Sequence, residues 1–422
     1  MDEDNKMKSL PRGWNWLRLR EIAEINPKIP NKEAIPDNRE VQFLPMKLVE
    51  EVSGIIHLTE VRKYAEVKKG YTSFVDGDII FAKVTPCMEN GKIAIVDNLI
   101  NGIGFGSSEF HVIRNRKELN NKYLFHYLVQ NKFRNEAANA MTGAVGLRRV
   151  PKQFLEDYVV PLPPKETQQA VVSKIEELFS ELDKGIENLR IAQKKLKTYR
   201  QSVLKWAFEG RLTNEIVSDG ILPNGWTKAE LGNICTNVEY GSSAKSKEHG
   251  KIPVLRMGNI QNGKFDWTDL VYTSDDEEIK KYLLKKNDVL FNRTNSAELV
   301  GKTAIYKGER PAIFAGYLIR IDRIESLIDA DFLTYFLNSL EAKKMGNAVR
   351  SFGVNQSNIN GTKLKSYLIP LPLLKEQQAI VQVIESRLSV ADKLDETITQ
   401  SLQQAEALRQ SILKKAFEGK LV

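Results

Sequence analysis

The chain is written twice, and no other feature constrains its fold as strongly. Leu10-Pro11-Arg12-Gly13-Trp14 returns as Leu222-Pro223-Asn224-Gly225-Trp226, a shift of 212 residues. Ala207-Phe208-Glu209-Gly210-Arg211-Leu212 returns as Ala416-Phe417-Glu418-Gly419-Lys420-Leu421, a shift of 209. Half of the 422 residues is 211, so the duplication fills the chain. Two copies of one module predict internal pseudo-twofold symmetry. That form suits targets with two related sites a fixed distance apart, and duplex DNA is the commonest of these.

Each copy reads as a globular part followed by one long helix. Short β-rich stretches alternate with turn residues, as in Phe74-Val75-Asp76-Gly77-Asp78-Ile79-Ile80-Phe81 and Lys92-Ile93-Ala94-Ile95-Val96. Their partners in the second copy are Lys286–Phe291 and Lys302–Tyr306. A helical segment follows, Tyr123–Leu128 against Phe332–Leu337. The expected fold is a mixed α/β (α+β) domain built twice. Val159-Val160-Pro161-Leu162-Pro163 and Leu368-Ile369-Pro370-Leu371-Pro372 end the globular parts. Proline removes a ladder donor and bars helix, so the chain is expected to leave the sheet there.

From Glu166 to about Glu209, and from Lys375 to about Glu418, there is no proline and one glycine, Gly185. Such a stretch spans roughly 66 Å as helix. Ile175, Phe179, Leu182, Ile186, Leu189, Leu196, Val203 and Ala207 are spaced as a coiled-coil seam. In the second copy Asp395 replaces Ile186, and Leu402 stands where the first has Gln193. A striped helix must bury its stripe, and its own copy is the natural partner. The chain direction then makes the pair antiparallel. Docking of each helix on its own domain is the alternative. The expected domains are 1–158, a spacer helix over 159–212, 213–367, and a second spacer helix over 368–422.

Composition agrees with a partner of opposite charge. Lys and Arg number 62 against 54 acidic residues, a net charge of +8. The two helical stretches hold 10 against 7 and 7 against 7, so most of the excess lies on the globular parts. Cys87 and Cys235 sit in unlike contexts and argue against a disulfide framework. There is no signal-like apolar run and no membrane-length apolar stretch, so a soluble, cytoplasmic protein with no membrane partner is expected.

This order of α/β domain, Pro-Leu-Pro corner, heptad helix and Ala-Phe-Glu-Gly ending closely resembles the specificity (S) subunit of type I restriction-modification systems. The resemblance covers essentially the whole chain. It rests on Pro161-Leu162-Pro163 leading to Gln168-Gln169, on Pro370-Leu371-Pro372 leading to Glu376-Gln377-Gln378, on both endings and on both Leu-Pro-x-Gly-Trp motifs. Thr85-Pro86-Cys87-Met88-Glu89-Asn90-Gly91-Lys92 adds to it. The resemblance implies two target recognition domains, each reading half of a split, asymmetric site on double-stranded DNA. It also implies helices that set the gap and dock two methyltransferase (M) subunits, with motor-nuclease (R) subunits joining them. The chain would then perform no chemistry and hold no cofactor. S-adenosylmethionine, ATP and magnesium would belong to the partners. The copies diverge at Thr142–Arg149 against Ser351–Asn358, which blocks any transfer of base preference.

Base readout needs hydrogen-bonding side chains on loops, with cations nearby for phosphates. The loop after the strand at 78–81 offers Lys83, Thr85, Asn90 and Lys92, and its second copy offers Arg293, Thr294, Asn295 and Lys302. The same residues also suit a turn that caps itself. The loop before the Pro-Leu-Pro corner offers Arg148, Arg149 and Lys152, then Arg350, Asn355 and Gln356. Its glycines allow close backbone approach, although a plain surface loop reads the same way. A third loop, from Tyr240 to Lys247, contributes Ser242, Ser243 and Lys245. Trp206 and Phe208 are expected to pack in the core.

Other chemistry lacks its residues. Gly301-Lys302-Thr303 has no glycine five places earlier, as a phosphate loop requires. Gly102-Ile103-Gly104-Phe105-Gly106 lacks dinucleotide spacing. No Asn-Pro-Pro-aromatic or Asp-Pro-Pro-aromatic methylation motif occurs. Asp329 or Asp331 with Glu341-Ala342-Lys343 is a loose match to a nuclease metal site, on a predicted helix. His57, His111, His126 and His249 have no metal spacing. An autonomous methyltransferase or nuclease and a protein-binding coiled-coil scaffold remain the rival readings.

Overall fold

A computed structural model describes residues 10–422 other than 117, 145, 215, 219, 354 and 355. Residues up to Leu189 with Gln400–Val422 form one compact unit, and Arg190–Thr399 the other. The central sheet of the first unit is antiparallel, in the order Ala23–Ile25, Phe110–Asn115, Ile79–Ala82, Ile93–Ile95. In the second unit the order Cys235–Tyr240, Leu318–Arg323, Val289–Asn292, Thr303–Ile305 repeats it. The other sheet of each unit contains one parallel pair, Glu40–Leu44 with Ile103–Gly106 and Ile252–Leu255 with Ile313–Phe314. The expected mixed α/β domain is therefore present in both copies. Gly102–Gly106 is a glycine-rich strand, since a Cβ at Gly104 would lie 2.1 Å from the Phe74 ring.

The copies differ at the edge of this second sheet. Thr72–Val75 adds a fourth strand in the first unit. The sheet of the second unit has three strands, and there helix Asp276–Tyr282 sets the Tyr282 ring against Phe314 at 5.8 Å.

The Pro-Leu-Pro corner is placed differently from expectation. Val159–Leu162 pairs with Asn15–Arg18, and Pro161 lies inside that ladder opposite Trp16. Pro370 does the same opposite Lys228. In a two-stranded ribbon every second N–H points away from the partner, so proline at such a position removes no ladder bond. The chain therefore leaves this small ribbon only after the first proline of the motif.

The long helices run Lys165–Phe208 and Leu374–Phe417, as the pattern predicts. The second buries Ile384, Ala391, Ile398, Ala405 and Ile412, one residue every heptad. Pairing is antiparallel within each unit. Arg409 from the end of the second helix meets Asp183 early in the first, and Arg200 meets Asp392 in the same manner. Asp395 accepts from Gln193 at 3.4 Å and lies 3.7 Å from Arg200, so the seam's one acidic residue has polar company. No helix among the described residues is long and apolar enough to cross a membrane.

Each helix also docks on both domains, because its two ends carry different signals. Gln168, in the first turns of the first helix, is 1% exposed. Its Nε2 donates to the Glu118 and Pro163 carbonyls at 3.0 Å, and its Oε1 accepts from Asn120 N–H at 2.8 Å. Gln377 repeats the set with Leu327, Pro372 and Asp329. Asn120 and Asp329 in turn cap the domain helices Asn121–Leu128 and Ala330–Leu337 through their side chains.

The last turns use aromatic rings. Phe417 packs edge-on against Tyr123 and Tyr127, and Phe208 against Phe332 and Phe336. Gly210 and Gly419 end the helices at positive φ, where a Cβ would lie 2.3 Å from Pro223 and 2.2 Å from Pro11. The ending of each copy thus packs on the opening motif of the copy that follows it around the duplication. Trp206 departs from expectation and is 42% exposed, because it lies off the buried stripe that carries Phe208.

His126 sits in the core of the first unit, edge-on to the Phe179 ring. Burial pulls its imidazole down from 6.5 to about 4. The unfolded chain binds this proton first, so stability is complete above pH 6.5 and falls as pH drops from there toward 4.

Two outcomes follow from this packing. Gln168→Leu or Gln377→Leu strands two buried carbonyls and one N–H, and each should cost on the order of 3 kcal/mol in urea unfolding. A loss below about 0.5 kcal/mol, the size of an ordinary surface change, would refute the role assigned to them. Between pH 7 and 5 the wild type should lose roughly 2 kcal/mol that His126→Tyr, which installs the residue found at position 335, does not lose. Equal losses in the two proteins would remove His126 as the cause.

Candidate nucleic-acid interface

In each unit the strand that leaves the central sheet runs directly into a candidate loop. After Ile79–Ala82, the Lys83 carbonyl accepts from Val150 N–H at 2.8 Å, and Thr85 N–H donates to the Arg148 carbonyl at 3.2 Å. Val84 bridges Arg149, which bridges Thr142 on its other side. Two loops about sixty residues apart in sequence thus share one short backbone ladder. The second unit builds the same ladder from Thr294–Asn295, Gln356–Asn358 and Ser351–Gly353.

A third loop joins it there. Gly316 N–H donates to the Ser242 carbonyl at 2.7 Å, while Arg293 donates its backbone N–H to Tyr317 and its Nη1 to Gly316. Lys83 does likewise in the first unit, donating Nζ to the Ser108 carbonyl at 2.7 Å. A lysine and an arginine therefore hold matching places in the two copies, each tied to a carbonyl of the turn that precedes the long middle strand.

The side chains divide by what they touch. Lys92 turns inward and donates to the Met46 and Val49 carbonyls. Ser242 is buried and donates to Glu278, and Thr294 is buried and accepts from Asn358 Nδ2 at 2.7 Å. These three hold the loops in shape. Thr85 donates to Glu89 at 3.1 Å, Asn90 donates to Glu51 at 2.7 Å, and Asn295 accepts from Ser296 N–H at 2.8 Å. Arg350 donates to the Ala297 carbonyl at 3.1 Å. Ser243, Lys245 and Gln356 are exposed, and Lys302 is half-buried. Asn355 lies outside the described residues.

The cations are held by weak or exposed partners. Arg149 makes two 2.8 Å bonds to Glu109, and its guanidinium keeps that carboxyl below the ordinary range. Arg148 stands 3.9 Å from Glu89, and Lys152 2.9 Å from Glu156 on the solvent side of a short helix. The single contacts of Arg148 and Lys152 contribute little to stability, so a phosphate can replace those carboxylates at small cost. His111 is different. It is buried, its Nε2 donates to the Val150 carbonyl at 2.9 Å, and burial pushes its pKa down.

Several residues position others in ways that gave no local signal in the sequence, although Tyr240 opens a candidate loop. The Tyr240 ring lies 4.8 Å from the Arg293 guanidinium and accepts the Gly361 N–H on its hydroxyl. Tyr317 exposes its ring on the same turn. Glu109 is forty residues from the arginine it orients. The loose nuclease match resolves into structure: Asp329 caps a helix and Asp331 pairs with Lys307 at 2.6 Å. Among the described residues no group of three or more His, Cys, Asp or Glu is arranged to hold a metal ion.

This geometry of two like domains, each with convergent polar loops, has counterparts among known proteins. The pattern of the type I restriction modification DNA specificity domain matches the chain twice, over residues 11–190 and 223–404. The chain therefore belongs to the family of type I restriction-modification DNA specificity subunits. The EcoAI specificity subunit of Escherichia coli is 28% identical over 93% of this chain and 80% of its own length. The EcoEI subunit, also from Escherichia coli, is 27% identical over 96% of this chain and 82% of its own. Among solved structures, one described under complex assembly and conformational transition of the type I R-M system aligns with a TM-score of 0.79 at 22% identity, covering 98% of this chain and 99% of that one. The HsdS subunit from Thermoanaerobacter tengcongensis aligns at 0.61 and 22% identity, with the same coverage. At that identity the likeness is one of fold.

Proposed function

We propose that each domain of this specificity subunit reads one half of a bipartite, asymmetric site on double-stranded DNA. The observation that carries this reading is the convergence of the candidate loops on one ladder in each unit. In the first domain Lys83, Thr85, Asn90, Arg148, Arg149 and Lys152 form the contact set. In the second the set is Ser243, Lys245, Arg293, Asn295, Lys302, Arg350 and Gln356. Arginine suits guanine, asparagine and glutamine suit adenine, and the remaining cations suit phosphate. Lys92, Ser242 and Thr294 support the loops from behind.

The paired helices act as the spacer between half-sites and as the docking surface for two methyltransferase subunits, which motor-nuclease subunits join. Tyr199, Trp206, Val390 and Leu394 are 40% or more exposed on helices whose stripes are already buried, which favours a protein partner there. The chain is then a non-catalytic component acting in the cytoplasm, with S-adenosylmethionine, ATP and magnesium bound by its partners.

Two experiments test the reading. Arg293→Ala and Lys83→Ala should each weaken recognition of one half-site, by about 1–3 kcal/mol where the cation pairs with a base. Binding to a panel of duplexes checks this, and uniform weakening across all sequences would assign the cation to phosphate. Removing one facing heptad from each long helix should change the gap and leave both half-sites intact. Methylation mapping with the assembled complex reads the gap directly, and an unchanged gap would sink the spacer role.

A further inference from the structure

A cavity of about 410 Å³ opens in the second domain between the turn at 297–301 and helix Leu340–Val349. Phe291, Leu337, Ala342, Ile359 and Tyr367 line its inner part, with Lys343 at the rim. Ligand pockets fall in this range of size, roughly 300–1,000 Å³. The first domain shows what would otherwise fill the space. Its matching helix, Asn131–Ala140, is also ten residues long, and it carries Phe133 where the second has Ala342.

Phe133 is 1% exposed, with its ring 5.4 Å from Phe81 and 4.8 Å from Tyr158. Phe291 and Tyr367 are the residues at those two places in the second domain; their rings meet each other edge-on at 6.3 Å, and no third ring joins them in Phe133's position. Ala137 is likewise reduced to Gly346, where the Tyr367 hydroxyl lies 2.7 Å from the place a Cβ would take. The polar partner has gone as well. Tyr158 donates its hydroxyl to Glu136 at 2.7 Å, whereas Met345 holds the place of Glu136. The Tyr367 hydroxyl makes no hydrogen bond among the described residues and lies on the cavity wall. One ring and one hydrogen-bond partner are therefore missing together, beside an aromatic pair that the second domain retains.

We propose that this cavity binds a small, flat aromatic molecule of one or two fused rings bearing a single hydrogen-bonding group, the chemistry of phenol and indole. The ring packs beside the Phe291–Tyr367 pair, over Ala342, where aromatic contacts add to the burial of area. The polar group meets the Tyr367 hydroxyl. A dry apolar cavity of about 150 Å³ already admits benzene, so the larger volume here accommodates a second ring. The open rim lets the occupant exchange with solvent. The site borders the Ala297–Arg350 hydrogen bond, and so lies under a candidate reading loop of this domain alone.

Calorimetric titration and thermal unfolding of the full chain with phenol and with indole test the proposal without DNA. Saturable binding with a melting temperature that rises with ligand concentration is expected. Ala342→Phe should abolish the binding and raise the melting temperature of the free protein, by restoring the missing ring. Ala342→Leu, a smaller filler, should weaken binding about tenfold or more should the larger residue disturb folding, and Tyr367→Phe should weaken it through loss of the hydroxyl. Absence of saturable binding for both compounds overturns the proposal. So does binding that is unchanged in the filled variants, since the ligand would then sit elsewhere.

Discussion

The arrangement of this protein depends on two buried glutamines. Gln168 and Gln377 each tie three pieces of chain together through backbone groups: the proline corner, the segment that caps a domain helix, and the first turns of a long helix. A buried amide with every hydrogen bond made is directional, and an apolar contact at the same place would allow the helix to rotate or slide. Each of these helices is continuous for 44 residues. Phe208 and Phe417 then need only a ring-sized site at the other end, which the paired aromatics of the domain helices supply.

A frame anchored in this way frees the loops from structural duty. The ladders that join the candidate loops are made by backbone groups, which any residue except proline can supply. Apart from the few that brace the loops, such as Lys92, Ser242 and Thr294, the side chains on them can therefore differ between copies without loss of shape. Lys83 and Arg293 show this: the cations differ, and both are held by a backbone carbonyl in the same place. The residues that must stay alike are those whose side chains make the frame, such as the glutamines, the capping Asn120 and Asp329, and the closing glycines. Divergence in the loops beside constancy in the frame is what a recognition module needs to acquire a new target while keeping its partners.

Much of this was legible in the sequence wherever the signal was local or periodic. The heptad spacing predicted both long helices to within a residue, and the repeat predicted two like α/β domains. The proline corner misled because the argument from a missing donor assumes a ladder bond at every residue, and Pro161 sits where the ribbon has none to lose. Trp206 stands near the helix end beside Phe208, but its angular place on the helix leaves it outside the stripe. In the candidate interface, residue types were readable and their neighbours were not. Tyr240, Glu109 and Asn358 orient their partners across forty to sixty-five residues of intervening chain, and no period or motif connects such pairs.

The seam shows how a duplicated chain can specify its own alignment. Two identical striped helices could pair in several registers seven residues apart at similar apolar gain. The two stripes here are not identical. Asp395 interrupts the second, and the seam residue that meets it is Gln193, with Arg200 close by. Sliding by one heptad in one direction would set this half-exposed carboxylate against Ile186 and lose its polar partners, whereas the opposite slide would set it against Arg200. The complementary exchange, Leu402 in the place matching Gln193, keeps apolar residues for the remainder of the seam. A pair of substitutions that lowers the apolar content of the coil thus disfavours one of the neighbouring registers. A chain with the spacer helices proposed above has more use for one register than for a stronger seam.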